Sequence, residues 1–376
     1  MGILAGEASG DLLGAGLISQ LSAQYPTLTT SGMGGPAMIR EGCHSLFDME
    51  RLSVMGFYEP LMRLPELIKI RSELFKHFIN NKPDLFVGID SPDFNLGLEL
   101  KLKQAGTPVI HYVSPSVWAW RQKRIHKIAK ATDMVLTLFP FEADFYHQHH
   151  VPARFVGHPL ADLIPLQTNQ RDARCQLNID PEGQYIALLP GSRRFELKNL
   201  AELFVATAKS CLQKNPQLKF ITSAANDLRN TEFQTICKKL APELPIHFFV
   251  KQTHAVMAAA DVVLVTSGTA TLETMLFKRP MVIVYRTGPI TFQIAKRLIK
   301  LKYIGLPNLL ANESLVPEFI QDAAQPDAVA NALLDFIHHP EKSESLMKAF
   351  TDIHLQLRRD ANAQAADAVR NLLSFR

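Results

Sequence analysis

Residues 185–213 read YIALLPGSRRFELKNLAELFVATAKSCLQ, and the succession of residue types in that stretch decides the fold class. The apolar run Tyr185–Leu189 has the length of a buried strand and is too short for a helix. Pro190 and Gly191 interrupt it. From Glu196 to Gln213 apolar residues then return at three- and four-residue spacing, the period of a helix with one buried face. A strand, a glycine turn and a helix in that order are half of a parallel βαβ unit.

The same alternation runs outward in both directions. Downstream, Lys219–Thr222, Ile246–Val250, Val262–Val265 and Met281–Tyr285 read as strands, with helical stretches at Glu232–Leu240, His254–Ala259 and Thr271–Phe277. Upstream, the strands are Ile3–Ala5, Leu85–Ile89, Val109–Val113, Met134–Leu138 and Arg154–Val156, separated by Leu12–Gln24, Leu64–Asn80, Leu96–Gln104 and Ile125–Ala129. Residues 157–172, with two prolines and few periodic apolar positions, read as a linker. The predicted fold is therefore α/β: two Rossmann-like domains facing a cleft, with the carboxyl-end loops of both sheets lining it. The predicted boundaries are 1–165 and 173–342, followed by an alanine-rich helical segment, 343–376, that crosses back over the domains. A length of 376 residues suits two domains.

Composition narrows the class further. Apolar residues make up 47% and charged residues 20%, as in an ordinary globular protein. No uncharged apolar run of about 18 residues occurs, so no membrane-crossing helix is expected. No basic, apolar and small-residue series opens the chain as a secretory signal does. The four cysteines lack Cys-x-x-Cys spacing, which points to reduced thiols in a cytosolic setting rather than a zinc site. A net charge of +4 is too small to imply a nucleic-acid partner.

Function lies in the loops. The turn Gly191-Ser192-Arg193 precedes a helix, so backbone N–H groups, the positive dipole end and a guanidinium fork converge on one spot suited to phosphate. Ser267, Gly268 and Thr269 open another helix start, and Glu273, one turn in, can accept from vicinal ribose hydroxyls or complement the helix dipole. Two anion-friendly helix starts in one half favour a nucleotide diphosphate. In the first half, Ser91 and Pro92 suit the N-cap and first turn of a helix, and Asp93 the start of that helix. Asp90 lies outside the helix at the strand's carboxyl end, where a carboxylate serves either as general base or as a loop-shaping acceptor. The opening turn Gly6-Glu7-Ala8-Ser9-Gly10-Asp11 reads equally as a phosphate loop or as a tight turn in which Ser9 and Asp11 cap a helix beginning at Leu12.

Two longer segments are unusual. Ser114–Arg124 holds both tryptophans, Trp118 and Trp120, beside Arg121, Lys123 and Arg124, a pattern suited to a sugar face with an anionic group or to a membrane interface. Residues Val54–Phe78 set Met55, Phe57, Tyr58, Leu61, Leu64 and Ile68 among basic residues, the pattern of an interfacial helix on an anionic membrane or of a core-facing helix. His158, in Gly157-His158-Pro159, reads as either a hinge residue or a ligand contact. His111, His147, His149 and His150 read as structural or exposed.

Taken in order, GEASGD (6–11), GIDSPDFN (88–95), HYVSPSVWAWRQKR (111–124), GHPLAD (157–162), LLPGSR (188–193), SGTATLE (267–273) and LPNLLA (306–311) resemble the lipid-A-disaccharide synthases, glycosyltransferases of the GT-B architecture. The resemblance implies transfer of 2,3-diacylglucosamine from its UDP form to 2,3-diacylglucosamine 1-phosphate, giving a β-1,6 disaccharide and UDP. It implies an inverting displacement with Asp90 as base and Arg193 steadying the leaving UDP. Gly191, Ser192, Ser267, Gly268, Thr269, Glu273 and Asn308 then fall on the donor side. Gly6, Glu7, Ser9, Gly10, Asp11, Ser91, Trp118, Arg121 and His158 fall on the cleft or acceptor side, with Val54–Phe78 toward acyl chains. No cofactor or metal is expected, since no Asp-x-Asp accompanies the donor loops. The expected setting is cytoplasmic, peripheral on the inner face of the membrane, and a homodimer is left open. The resemblance departs at the N-terminus, where family members carry several more residues before the first glycine turn, and a shortened central strand implies fewer ladder bonds. Two GT-B rivals are a UDP-N-acetylglucosamine 2-epimerase and the lipid II-forming transferase. A non-catalytic nucleotide-sugar or lipid-binding protein is the rival from another class.

Overall fold

The computed structural model describes residues 1–52, 63–288, 292–293 and 301–374. They form two compact units. The first comprises Met1–Asp162 with Leu357–Arg376, and the second Leu163–Gln356.

The first unit is built on seven parallel strands: β1 (Gly2–Ala5), β2 (Thr30–Met33), β3 (Cys43–Ser45), β4 (Phe86–Ile89), β5 (Val109–Tyr112), β6 (Met134–Thr137) and β7 (Ala153–Phe155), in the order β3-β2-β1-β4-β5-β6-β7. The second unit has six: β8 (Gln184–Leu189), β9 (Leu218–Ala224), β10 (Ile246–Val250), β11 (Val262–Thr266), β12 (Met281–Tyr285) and β13 (Glu318–Ile320), in the order β10-β9-β8-β11-β12-β13. Each order reverses once, between β1 and β4 and between β8 and β11. Those are the two points where carboxyl-end loops diverge and leave a crevice.

Burial explains why the inner strands were readable. Helices cover both faces, so β1, β4, β5 and β11 are buried at every residue, and their sequences are almost continuously apolar. Strand β1 is short, yet it pairs with β2 on one side and β4 on the other. The strands not anticipated, β2, β3 and β13, carry Thr, Ser, Gly, His or Glu in short runs without an apolar signature.

The expected 343–376 segment proves to be two helices with different homes. Pro340–Leu357 belongs, up to Gln356, to the second unit, while Ala361–Ser374 returns to the first. There Ala365, Ala366, Ala368 and Val369 join the core formed with Leu17, Ile18 and Leu21. Gly16 makes this close approach possible, because a Cβ on it would come within 2.4 Å of the Asn362 side chain.

Candidate functional site

At the first reversal, the loops after β1 and β4 press together. A Cβ on Gly6 would lie 2.4 Å from Ser91 Oγ, so only glycine admits that packing. The helix after β1 begins at Ala8, four residues earlier than expected, with Glu7 in the N-cap position and Ser9 exposed in its first turn. Asp11 does not cap this helix. It is buried inside it, and its carboxylate accepts from the N–H groups of Gly35 (2.9 Å), Ala37 (2.9 Å) and Met38 (3.0 Å), capping the helix Pro36–Arg40 instead. Gly10 is buried against Ala5 and Ile89.

Ser91 occupies the N-cap of Pro92–Gln104, with Pro92 in the first turn, but its hydroxyl makes no capping bond. The reason is its backbone: Asp90 and Ser91 both have positive φ, 48° and 43°, a conformation that costs non-glycine residues energy. That kink leaves Asp90 half-buried at the carboxyl end of β4, its N–H bonded to Tyr112 O at 2.8 Å. Asp93 is engaged by Arg124 in an ion pair.

At the second reversal lies a cavity of about 810 Å³ within the second unit, lined by the loops that follow β8, β9, β10 and β11. It brings together Gly191, Ser192, Arg193, Ser267, Gly268, Thr269 and Glu273. The Arg193 side chain is 72% exposed at the cavity's edge. The N–H groups of Ser192 and Arg193, expected to be free, both donate to Glu196 Oε2, at 2.9 and 3.1 Å. Glu196 stands three residues into the helix Arg194–Lys214 and reaches back, an acid at a helix N-terminus. Gly191, at φ 112°, is needed because a Cβ there would lie 2.4 Å from the same carboxylate oxygen. On the far wall, Glu273 pairs with His254 Nε2 at 2.9 Å, and Gly268 opens the helix Thr269–Leu276 with nothing within 4 Å of a Cβ position.

Asn308 is not at this cavity. Its amide is fully buried, donating to Val316 O (2.9 Å) and Glu318 Oε1 (2.8 Å) and accepting from Val316 N (2.9 Å), which fastens the helix Leu306–Ala311 to the approach of β13. Residue type alone could not show that both N–H groups and the oxygen of the amide were already engaged. The cavity also includes residues not singled out from sequence: Glu196, Ser223, Lys251, Gln252 and His254. Ser223 is the penultimate residue of β9, and Lys251, Gln252 and His254 follow β10, so applying the carboxyl-end rule to every strand would have found them.

A family model described as lipid-A-disaccharide synthetase matches residues 1–370. The chain belongs to the lipid-A-disaccharide synthase family. The lipid-A-disaccharide synthase of Haemophilus influenzae is 50% identical over 375 residues, covering 99% of this chain and 96% of the relative. That of Pseudomonas aeruginosa is 50% identical over 374 residues, covering 100% and 98%. Among solved structures, the UDP-GlcNAc 2-epimerase of Neisseria meningitidis bound to UDP-GlcNAc superposes with a TM-score of 0.63 at 11% identity, covering all of both chains. The calicheamicin glycosyltransferase CalG4 gives 0.62 at 14%, covering 99% and 96%. At such identities the likeness speaks to fold alone, and that fold is the two-domain GT-B architecture. The lipid-A-disaccharide synthases are glycosyltransferases of lipid A biosynthesis, and this chain is one of that family.

In this lipid-A-disaccharide synthase family member, the tryptophan-basic segment is held by an aromatic stack. Trp118 donates Nε1–H to Glu142 Oε1 at 3.1 Å and meets Phe141 edge-on, and Phe139 stacks on Phe141 and lies against His158. Burial pushes the Glu142 carboxyl up to about 7, against the pull of the Phe139, Trp118 and Leu138 donors. Burial likewise drives His158 down to about 4, and its Nδ1 accepts from Leu160 N at 3.2 Å, so the ring is neutral. Arg121 lies over the half-exposed Trp120 ring at 4.4 Å. Met55, Phe57, Tyr58 and Leu61 fall outside the described residues. On the helix Leu64–Asn80, Ile70, Leu74 and Phe78 face the core, whereas Leu64 and Ile68, one turn apart, are each 48% exposed. No described helix is long and apolar enough to cross a membrane.

Proposed function

We propose that this protein moves a 2,3-diacylglucosamine unit from its UDP-activated form to the 6-hydroxyl of 2,3-diacylglucosamine 1-phosphate, releasing UDP and inverting the anomeric centre. The observation that carries the reading is the second-unit cavity, where two helix N-termini, Arg193 and the Glu273–His254 pair converge. The diphosphate is assigned to the Ser267–Thr269 helix start and the Arg193 guanidinium, which favour negative charge, while Glu196 holds the Ser192 and Arg193 N–H groups. Glu273 is assigned to the ribose hydroxyls, with His254 fixing its orientation.

In the first unit, Asp90 is the proposed general base. Its carboxylate takes the proton of the acceptor hydroxyl as that oxygen bonds to the anomeric carbon. The bond between the anomeric carbon and the phosphate oxygen breaks, and its electron pair leaves with UDP. Arg193 and the helix dipoles stabilise that charge as it develops. The acylated substrates suggest peripheral docking on the inner membrane surface, and Leu64 and Ile68 offer apolar side chains for it.

The test is a turnover assay with both acylated glucosamines, wild type beside Asp90→Asn, together with calorimetric UDP binding. Loss of the base is expected to lower turnover by about 10²–10⁴-fold while UDP affinity holds. Wild-type protein that forms no disaccharide sinks the reading. Epimerisation of UDP-N-acetylglucosamine supplied alone would favour the epimerase alternative.

A further inference from the structure

Behind the Asp90 loop lie three polar side chains that the proposed reaction does not touch. Asn95, Glu99 and His111 are each 0% exposed. Glu99 Oε1 stands 2.7 Å from His111 Nδ1, so a carboxylate–imidazole pair is buried beside the last turn of β4. Such a pair is an expensive thing to bury, and packed apolar residues would serve stability as well or better.

The surroundings are shaped to admit it. His111 lies beside Gly88 in the β4–β5 ladder. A Cβ on Gly88 would lie 2.0 Å from Glu99 Oε1 and 3.3 Å from Asn95 Cγ, so the missing side chain is the space the cluster occupies. Asn95 and Glu99 are one turn apart on the helix Pro92–Gln104 and face the strand together. Asn95 Nδ2 donates to two successive carbonyls, Ile89 O at 3.1 Å and Asp90 O at 2.8 Å. These bonds clamp the strand end where Asp90 and Ser91 take their two consecutive left-handed conformations. Asn95 Oδ1, Glu99 Oε2 and His111 Nε2 are buried without a hydrogen-bond partner among the described residues.

Charge links the pair to Asp90. Burial works against a charged imidazole, but the charge and hydrogen bond of Glu99 outweigh it, Asp90 adds to them, and His111 holds its proton more tightly than usual. Glu99 is pushed up by burial, with His111 opposing. The charged and titratable groups facing them from other elements are Asp90 at the end of β4, Arg124 and Lys127 from the segment after Trp120, and Tyr146 from the helix Pro140–Gln148.

We propose that Asn95, Glu99 and His111 are positioning residues for Asp90: the Asn95 amide locks the kinked backbone that aims its carboxylate, and the Glu99–His111 pair sets the charge behind it. This rests on the reading of Asp90 as the base. The test compares Asn95→Leu and Glu99→Gln, each alone and combined with Asp90→Asn, using the two acylated glucosamine substrates. Misaiming the base is expected to lower kcat by about 10²-fold in Asn95→Leu, with both KM values and UDP affinity within twofold. Glu99→Gln keeps the shape but frees His111 to lose its proton. With the Glu99 charge gone, burial dominates at His111, so the variant's kcat is expected to fall as pH rises through a range below the ordinary imidazole value, a limb absent from the wild type. In the Asp90→Asn background neither substitution costs anything further, because the group they position is gone.

Equal losses with and without Asp90, or kcat and KM moving together with no new pH limb, overturn the proposal by showing a structural role. If Asp90→Asn abolishes turnover while both single variants behave as wild type, positioning fails and the base assignment survives. If Asp90→Asn retains turnover, both readings fall. Should Asn95→Leu not fold, the pH limb of Glu99→Gln decides the matter alone.

Discussion

Asp11 and His158 show how much of a site's environment is settled by single side chains. Asp11 serves three backbone N–H groups, two through Oδ1 and one through Oδ2. Asp11→Ala is expected to lower unfolding stability by about 2–3 kcal/mol, and Asp11→Asn, which retains the Oδ1 bonds, by about 1 kcal/mol. Denaturant midpoints will show whether that order holds. His158 makes a prediction in pH. Its value falls from 6.5 to about 4 in the folded protein, so the unfolded chain binds the proton more readily. The stability contribution is therefore complete above about pH 6.5 and is lost as pH falls through about 4, amounting to at most about 3 kcal/mol. His158→Asn, which keeps an acceptor for Leu160 N, is expected to flatten stability over that interval. An unchanged acid limb would assign the dependence to other groups.

At the level of strands, helices and loops, legibility followed burial. Tyr185–Leu189 and Val262–Val265 announced themselves because a strand covered on both faces has few polar positions to disguise it. β2, β3 and β13 were silent because three or four residues of mixed polarity carry no period. Loop chemistry was half visible. Gly191, Arg193, Ser267 and Glu273 do meet at one cavity, but Glu196 was overlooked because a helix-start acid looks the same whether it faces water or fills an anion's place. Asn308 does not line that cavity, and its polar type concealed complete burial. The helix Leu64–Asn80 has a core face of Ile70, Leu74 and Phe78 and leaves Leu64 and Ile68 half-exposed. Leu64→Gln with Ile68→Gln is therefore expected to leave the melting temperature unchanged and weaken binding to anionic phospholipid vesicles by about tenfold or more. Undiminished vesicle sedimentation would remove these two residues from membrane contact.

For the whole molecule, the division of the chain matters more than either sheet. The second unit is inserted into the first, whose core is completed only by Ala361–Ser374. Ending the chain at Leu357 is expected to uncover Leu17, Ile18 and Leu21 and to weaken the first unit by on the order of 4–6 kcal/mol. A calorimetric scan should show that loss in one unit's transition while the other stays in place, and a cooperative melt at the wild-type temperature would contradict it. The same arrangement imposes a timetable on synthesis. Strands β1 to β7 leave the ribosome early, but the helix that closes over Gly16 follows only after residues 163–356 have emerged. Until then a greasy groove on the nascent first half stays open, while the inserted half is free to fold in a single pass. The helix Ala361–Ser374 is thus a latch, and translation must reach it before the first unit can shut.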